Sequence, residues 1–272
     1  MIIEIWVKER VINLKETTFN DLNRFTKKVN PPTHSEDYQY LVKAYALRLN
    51  RNYEESIACY EKALKIDKNN LEALKGISLC YKNLGKFDLA VKYHLQIKHL
   101  TPFDRAVHYE LGVLEYDRKN YCKAIKNFIN AIKLSPEYYD AIYALGQAHE
   151  ALEEYEMAEM IYLKILENRP SYLLAYNKIA NMYLKIEDYK KATRYFKELI
   201  AINPDFHRAY LGLAITFDRA GQPFDARRYY KKYLEIKPFS EEKEYVLDRI
   251  QKLRPKKTTT QSSRNHLALV KM

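Results

Sequence analysis

One period governs this chain. Every 34 residues, six times without interruption, a small residue returns at Ser56, Ala90, Ala124, Ala158, Ala192 and Ala226. Proline returns in its own phase at Pro102, Pro136, Pro170, Pro204 and Pro238, with Lys68 in the corresponding place of the first copy. A fixed period of this length marks stacked supersecondary units, each touching only its neighbours. It argues against a globule built round one closed core. Six Gly and nine Pro are few for 272 residues, as expected of a chain that is mostly helix.

Residues Arg105 to Tyr138 serve as the unit. Leu111, Val113, Leu114 and Tyr116 form one apolar block, and Ala124, Ile125, Phe128, Ala131 and Ile132 a second, both at three- and four-residue spacing. That is the period of an amphipathic helix. Polar residues Asp117 to Asn120 separate the blocks, so the unit is two antiparallel helices joined by a tight turn. Glycine or a small polar residue is expected in such turns, at Gly85, Asn120 and Gly221. Gly112, Gly146, Ala180 and Ala214 hold one phase of the first helix, and the recurring alanine holds one phase of the second. Small side chains at these phases let two helices approach closely. Tyr121, Tyr155 and Tyr189 at one phase, and Phe128, Tyr162, Phe196 and Tyr230 at another, fill the adjoining grooves. The proline ends the second helix, because it lacks an amide hydrogen and biases the preceding residue away from helical geometry.

This pattern resembles the tetratricopeptide repeat. The third copy carries it as Leu111, Gly112, Tyr121, Ala124, Phe128, Ala131 and Pro136, and the fifth as Tyr176, Ile179, Ala180, Tyr183, Tyr189, Ala192, Phe196, Leu199 and Pro204. The resemblance implies an all-α, right-handed α-solenoid, a superhelix of antiparallel helix pairs over 37–70, 71–104, 105–138, 139–172, 173–206 and 207–240. Residues 1–36 form an N-terminal segment with a short helix expected over Thr18 to Val29, stopped by Pro31 and Pro32. Residues 241–254 are expected to form a capping helix started by Ser240, with Tyr245, Val246, Ile250 and Leu253 on its apolar face. Residues 255–272 read as a basic, disordered tail.

In this family the first helix of each pair lines a concave groove. Carried over by position, the resemblance places Tyr38, Leu41 and Tyr45 of the first copy in that lining, then Leu79, then Tyr109, Val113 and Tyr116, then Tyr143 and Gln147, then Asn177 and Asn181, then Leu211 and Ile215. Tyrosines of this kind offer rigid, amphipathic contact surface. The implied function is a non-catalytic adaptor that binds a helical or extended segment of a protein partner. The resemblance does not extend to the branch that grips heat-shock chaperone tails. That clamp needs Lys and Asn where Leu41 and Tyr45 stand, and Leu79 and Glu110 break it in the later frame. A carboxylate would find no matched cationic fork there.

Charge and composition narrow the partner. The net charge of +11 suggests nucleic acid until it is divided. Residues 241–272 carry 8 basic and 4 acidic side chains, whereas the fourth copy has Asp140 and six Glu against Lys164 and Arg169. An acidic island interrupts any phosphate-tracking stripe, which leaves Arg227, Arg228, Lys231, Lys232 and the tail to carry the alternative, nucleic-acid or anionic-surface binding. Cys59, Cys80 and Cys122 show no metal-ligand spacing and no even pairing, so no metal or cofactor is expected and a reducing, cytoplasmic setting fits. No stretch approaches the roughly 20 apolar residues of a membrane span. No P-loop, GxSxG or HExxH motif argues for catalysis. His94, His108 and His149 occupy packing phases, with Glu115 at the phase of His149. They are expected to be hydrogen-bonded core residues.

Overall fold

The computed structural model describes residues 36–254, and all described secondary structure is helical. The helix expected over 18–29 and the tail from 255 lie outside the described residues. In chain order the helices are α1 (Glu36–Leu49), α2 (Tyr53–Ile66), α3 (Leu71–Asn83), α4 (Phe87–Leu100), α5 (Arg105–Asp117), α6 (Tyr121–Leu134), α7 (Tyr139–Ala151), α8 (Tyr155–Asn168), α9 (Leu173–Lys185), α10 (Tyr189–Ile202), α11 (His207–Arg219), α12 (Pro223–Ile236) and α13 (Lys243–Lys252). The chain forms an all-α solenoid of helix pairs. It divides into two compact units at Ile161 and Tyr162, within α8.

In the first unit α1 packs on α2, α3 on α4 and α5 on α6, while α2–α3, α4–α5 and α6–α7 join successive pairs. The recurring small residue explains the closeness of these crossings. Ser56, Ala90, Ala124 and Ala158 are all 0% exposed, as are Ala192 and Ala226 in the second unit. Where the small residue is Ser56, its hydroxyl donates to the Ala44 carbonyl at 2.6 Å, so a buried polar group costs nothing.

Aromatic side chains wedge between first helices. Tyr60 from α2 is 1% exposed and lies against Gly76 of α3, where a Cβ would meet its ring at 2.2 Å. Phe128 from α6 fits against Gly112 of α5 in the same way, at 2.5 Å. In the second unit Phe196 of α10 meets Gly212 of α11 at 2.3 Å. The glycines are space for the neighbouring ring.

The turns inside the pairs share one geometry. Arg51, Gly85, Lys119, Glu153, Glu187 and Gly221 recur every 34 residues, all with φ between 61° and 70°. The following amide closes back on the helix: Asn52 N–H to Leu47 O at 2.9 Å, Lys86 N–H to Tyr81 O at 2.9 Å, Asn120 N–H to Glu115 O at 2.8 Å. This is a left-handed helix stop with its six-to-one hydrogen bond. The left-handed residue of the third turn is therefore Lys119. Asn120, expected at that role, is the residue that caps α6, with φ −92°. Between pairs, Thr101, Ser135, Asn203 and Lys237 end their helices immediately before the recurring proline.

In the second unit α9–α10 and α11–α12 pack in turn, and α13 closes on α12. Val246 and Ile250 of α13 are buried, while Tyr245 is half exposed. Arg249 grips Asp218 of α11 with two hydrogen bonds, at 2.8 and 2.7 Å, and Tyr230 donates to the same carboxylate at 3.0 Å. The start of α13 differs from expectation. Glu242, not Ser240, stands at its N-cap, and no side chain caps it. The Glu242 carboxylate instead accepts the Tyr233 hydroxyl at 2.8 Å.

Candidate functional site

The lining positions of the first unit do not all present their side chains. Tyr38 and Leu41 are buried, and Leu41 packs with Ala44, Leu47, Ile57 and Tyr60. The α1 positions nearest the core are taken by packing, since α3 lies directly against α1. Tyr45 is half-buried, with the Arg48 guanidinium 4.6 Å above its ring. Leu79 on α3 is 40% exposed, a large apolar side chain open to solvent on a first helix. Val113, Tyr109 and Tyr116 on α5 and Tyr143 and Gln147 on α7 are half-buried.

The tyrosines are oriented by one another. The Tyr109 ring lies 6.0 Å from Phe128 and 5.2 Å from Tyr138, and Tyr116 meets Tyr121 edge-on at 5.2 Å. Aromatic pairs at such distances hold ring planes beyond what area burial does. Desolvation, then the neighbouring Tyr121, Glu150 and Asp117, pushes the Tyr116 phenol above its ordinary pKa, so it stays a neutral donor. Lys82 of α3 and Asp117 of α5 pair at 3.0 Å across successive first helices.

In the second unit Leu211 and Ile215 of α11 are half-buried. Asn177 and Asn181 are turned to each other. The Asn181 amide donates to the Asn177 carbonyl at 2.7 Å and to its side-chain oxygen at 3.1 Å. The Asn181 amide is thus engaged within α9.

Sequence reasoning expected His94 in the core but missed its partners in the first unit. His94 of α4 takes the place filled by Tyr60 and Phe128 elsewhere, and is 4% exposed. Its Nδ1 lies 3.1 Å from the Ser78 hydroxyl on α3, and its Nε2 pairs at 3.0 Å with Glu110 on α5, off the line of a hydrogen bond. The Ser78 hydroxyl also reaches the Ala90 carbonyl at 3.0 Å. The signal was available: where the ring is replaced by imidazole, the small flanking residues are replaced by polar ones. Nearby, Arg118 bridges Asp88 of α4 to the buried Glu115 of α5. His108 donates Nε2–H to the Pro102 carbonyl at 2.8 Å, and His149 pairs with Glu154 at 2.6 Å. The Ser78–His94–Glu110 and Asp88–Arg118–Glu115 contacts join neighbouring helices. Among the described residues no group of His, Cys, Asp or Glu is arranged to hold a metal, and no helix is long and apolar enough to cross a membrane.

Helix pairs stacked in succession within each unit define a repeat scaffold for protein–protein interaction. Residues 38–70, 109–172 and 177–241 match the tetratricopeptide repeat, and the chain belongs to that family. Superkiller protein 3 of Schizosaccharomyces pombe is 27% identical over 107 residues, 37% of this chain. The UDP-N-acetylglucosamine–peptide N-acetylglucosaminyltransferase of Giardia intestinalis is 25% identical over 155 residues, 54% of this chain. The matched stretch spans only 8% of the first relative and 10% of the second. Among solved structures, PilW, a type IV pilus biogenesis factor, superposes with a TM-score of 0.62 at 21% identity, covering 79% of this chain and all of PilW.

Proposed function

We propose that the protein is a non-catalytic adaptor whose first-helix face in the first unit holds an apolar or aromatic segment of a protein partner. The observation that carries this is Leu79. It stands exposed between half-buried Tyr45 and Val113 at equivalent positions of successive first helices, beside the Lys82–Asp117 ion pair. Exposed apolar side chains in such a row are a contact surface. Half-buried Tyr116 flanks it with a neutral phenol that can orient a bound backbone. Buried Cys59 and Cys80 and exposed Cys122, all free thiols, suit a reducing compartment.

The anionic-surface reading is weakened by local pairing. Arg228 faces Asp225 at 3.2 Å and Lys232 faces Glu235 at 3.0 Å on α12. A photo-crosslinking residue at position 79, compared with one at Leu95 on α4, tests the assignment. Partner adducts are expected from position 79 and should persist at high salt, as for an apolar contact. Adducts from position 95 alone, or loss of position-79 adducts with modest salt, would refute it.

A further inference from the structure

We propose that the stretch at residues 1–14 is the resident occupant of this face, laid across the first helices of its own chain. The inference rests on the groove reading above. The face exposes Leu79 and leaves Val113 and Tyr116 half-buried. First helices packed side by side stand about 10 Å apart, so the strip from α1 to α7 is about 30 Å long. The sequence MIIEIWVKERVINL supplies a matching segment, with Ile2, Ile3, Ile5, Trp6 and Val7 in one dense run. Residues 15–35 connect it to Glu36, the first residue of α1, which is itself one of the helices that form the face. With the expected helix of Thr18 to Val29 rising about 1.5 Å per residue and the rest of the connector about 3.3 Å, it reaches up to about 48 Å, longer than the strip. Reach therefore favours the chain's own segment over that of a second copy, because tethering places it at an effective concentration on the order of millimolar. An incoming partner must displace it, so the partner's apparent affinity is scaled down by the fraction of molecules with the face open.

Trp6 is the single tryptophan and reports on this directly. In the full chain its emission is expected to be blue-shifted and shielded from acrylamide. Adding millimolar synthetic peptide of residues 1–14 carrying Trp6→Phe should shift the emission to the red and raise the quenching constant several-fold. Leu79→Glu should do the same with far-UV circular dichroism unchanged. The peptide arm uses the unaltered protein, so it decides even if the variant fails to fold. Water-like emission in the untreated chain overturns the proposal, as does a shielded Trp6 that neither the peptide nor Leu79→Glu releases. Emission that turns red on dilution overturns it in favour of exchange between copies. A solvent-exposed Trp6 together with partner adducts from position 79 would sink this proposal and leave the groove reading standing.

Discussion

Replacing Gly76 by alanine tests why aromatic wedges and glycines face each other. The new Cβ would lie 2.2 Å from Cζ, 2.4 Å from Cε2 and 2.7 Å from Cε1 of Tyr60. Carbon atoms settle at about 3.5–4.0 Å, so the ring tip must retreat by over about 1 Å. It has little room, being 1% exposed among Ala44, Ala63 and Cys80. Overpacking of this kind costs about 1–3 kcal/mol. Exchanging glycine for alanine inside a helix returns about 1 kcal/mol of helix propensity. The net expectation is a loss of about 0–2 kcal/mol, the overpacking term minus the propensity term. Tyr60→Leu removes all three clashing ring atoms. In that background Gly76→Ala should change sign and stabilise by up to about 1 kcal/mol. Urea titrations of the four proteins, followed by far-UV circular dichroism, give the coupling, expected at about 2 kcal/mol. A gain from Gly76→Ala with Tyr60 intact, or an equal loss in both backgrounds, would show that close approach is not what the glycine is for.

Other outcomes follow from single sites. Lys119→Gly relieves a left-handed backbone and should stabilise by up to about 1 kcal/mol, whereas Gly85→Ala should cost about as much, although no atom lies within 4 Å of the new Cβ; thermal melts of both variants check the pair. Arg249→Met leaves the Asp218 carboxylate, 10% exposed, facing Tyr230 without its cation, and should cost about 2–3 kcal/mol and speed hydrogen exchange in α13. Burial first, then Lys237 and Arg208, hold the His207 imidazole below its ordinary pKa against the pull of Glu242. The unfolded chain therefore binds this proton at higher pH than the folded chain does. The His207 contribution is present above the ordinary histidine pKa and is lost as pH falls below it, so melting temperature should drop between about pH 7 and 5, and less so in His207→Gln.

Much of the solenoid was legible in the period. The phase that holds Ser56 and five alanines is fully buried in all six copies, and the helices stop before the recurring prolines. Both follow from local rules, small residues where helices cross and no helix through a proline. The lining was legible by position but not by exposure. Leu41 and Leu79 hold comparable places in amphipathic helices, yet one packs into the core around Tyr60 and the other stands 40% exposed. Neighbouring side chains decide that difference, and they come from other helices. Asn177 and Asn181 have the spacing to hold a backbone, but four residues along a helix also lets the Asn181 amide donate to Asn177.

By itself, the sequence determined the repeat, its helix pairs and the phases that must stay small, because a 34-residue period imposes the same packing problem six times. Only the tertiary structure decided how each copy solves it. Tyr60 needs Gly76, Phe128 needs Gly112, and His94 is held by Ser78 and Glu110. The partners of the buried ring come from two other helices, 16 residues away in either direction. Nothing in local propensity links them. They meet only when the second helix of one pair is clamped between two first helices, and there steric fit or hydrogen bonding selects the matching residues.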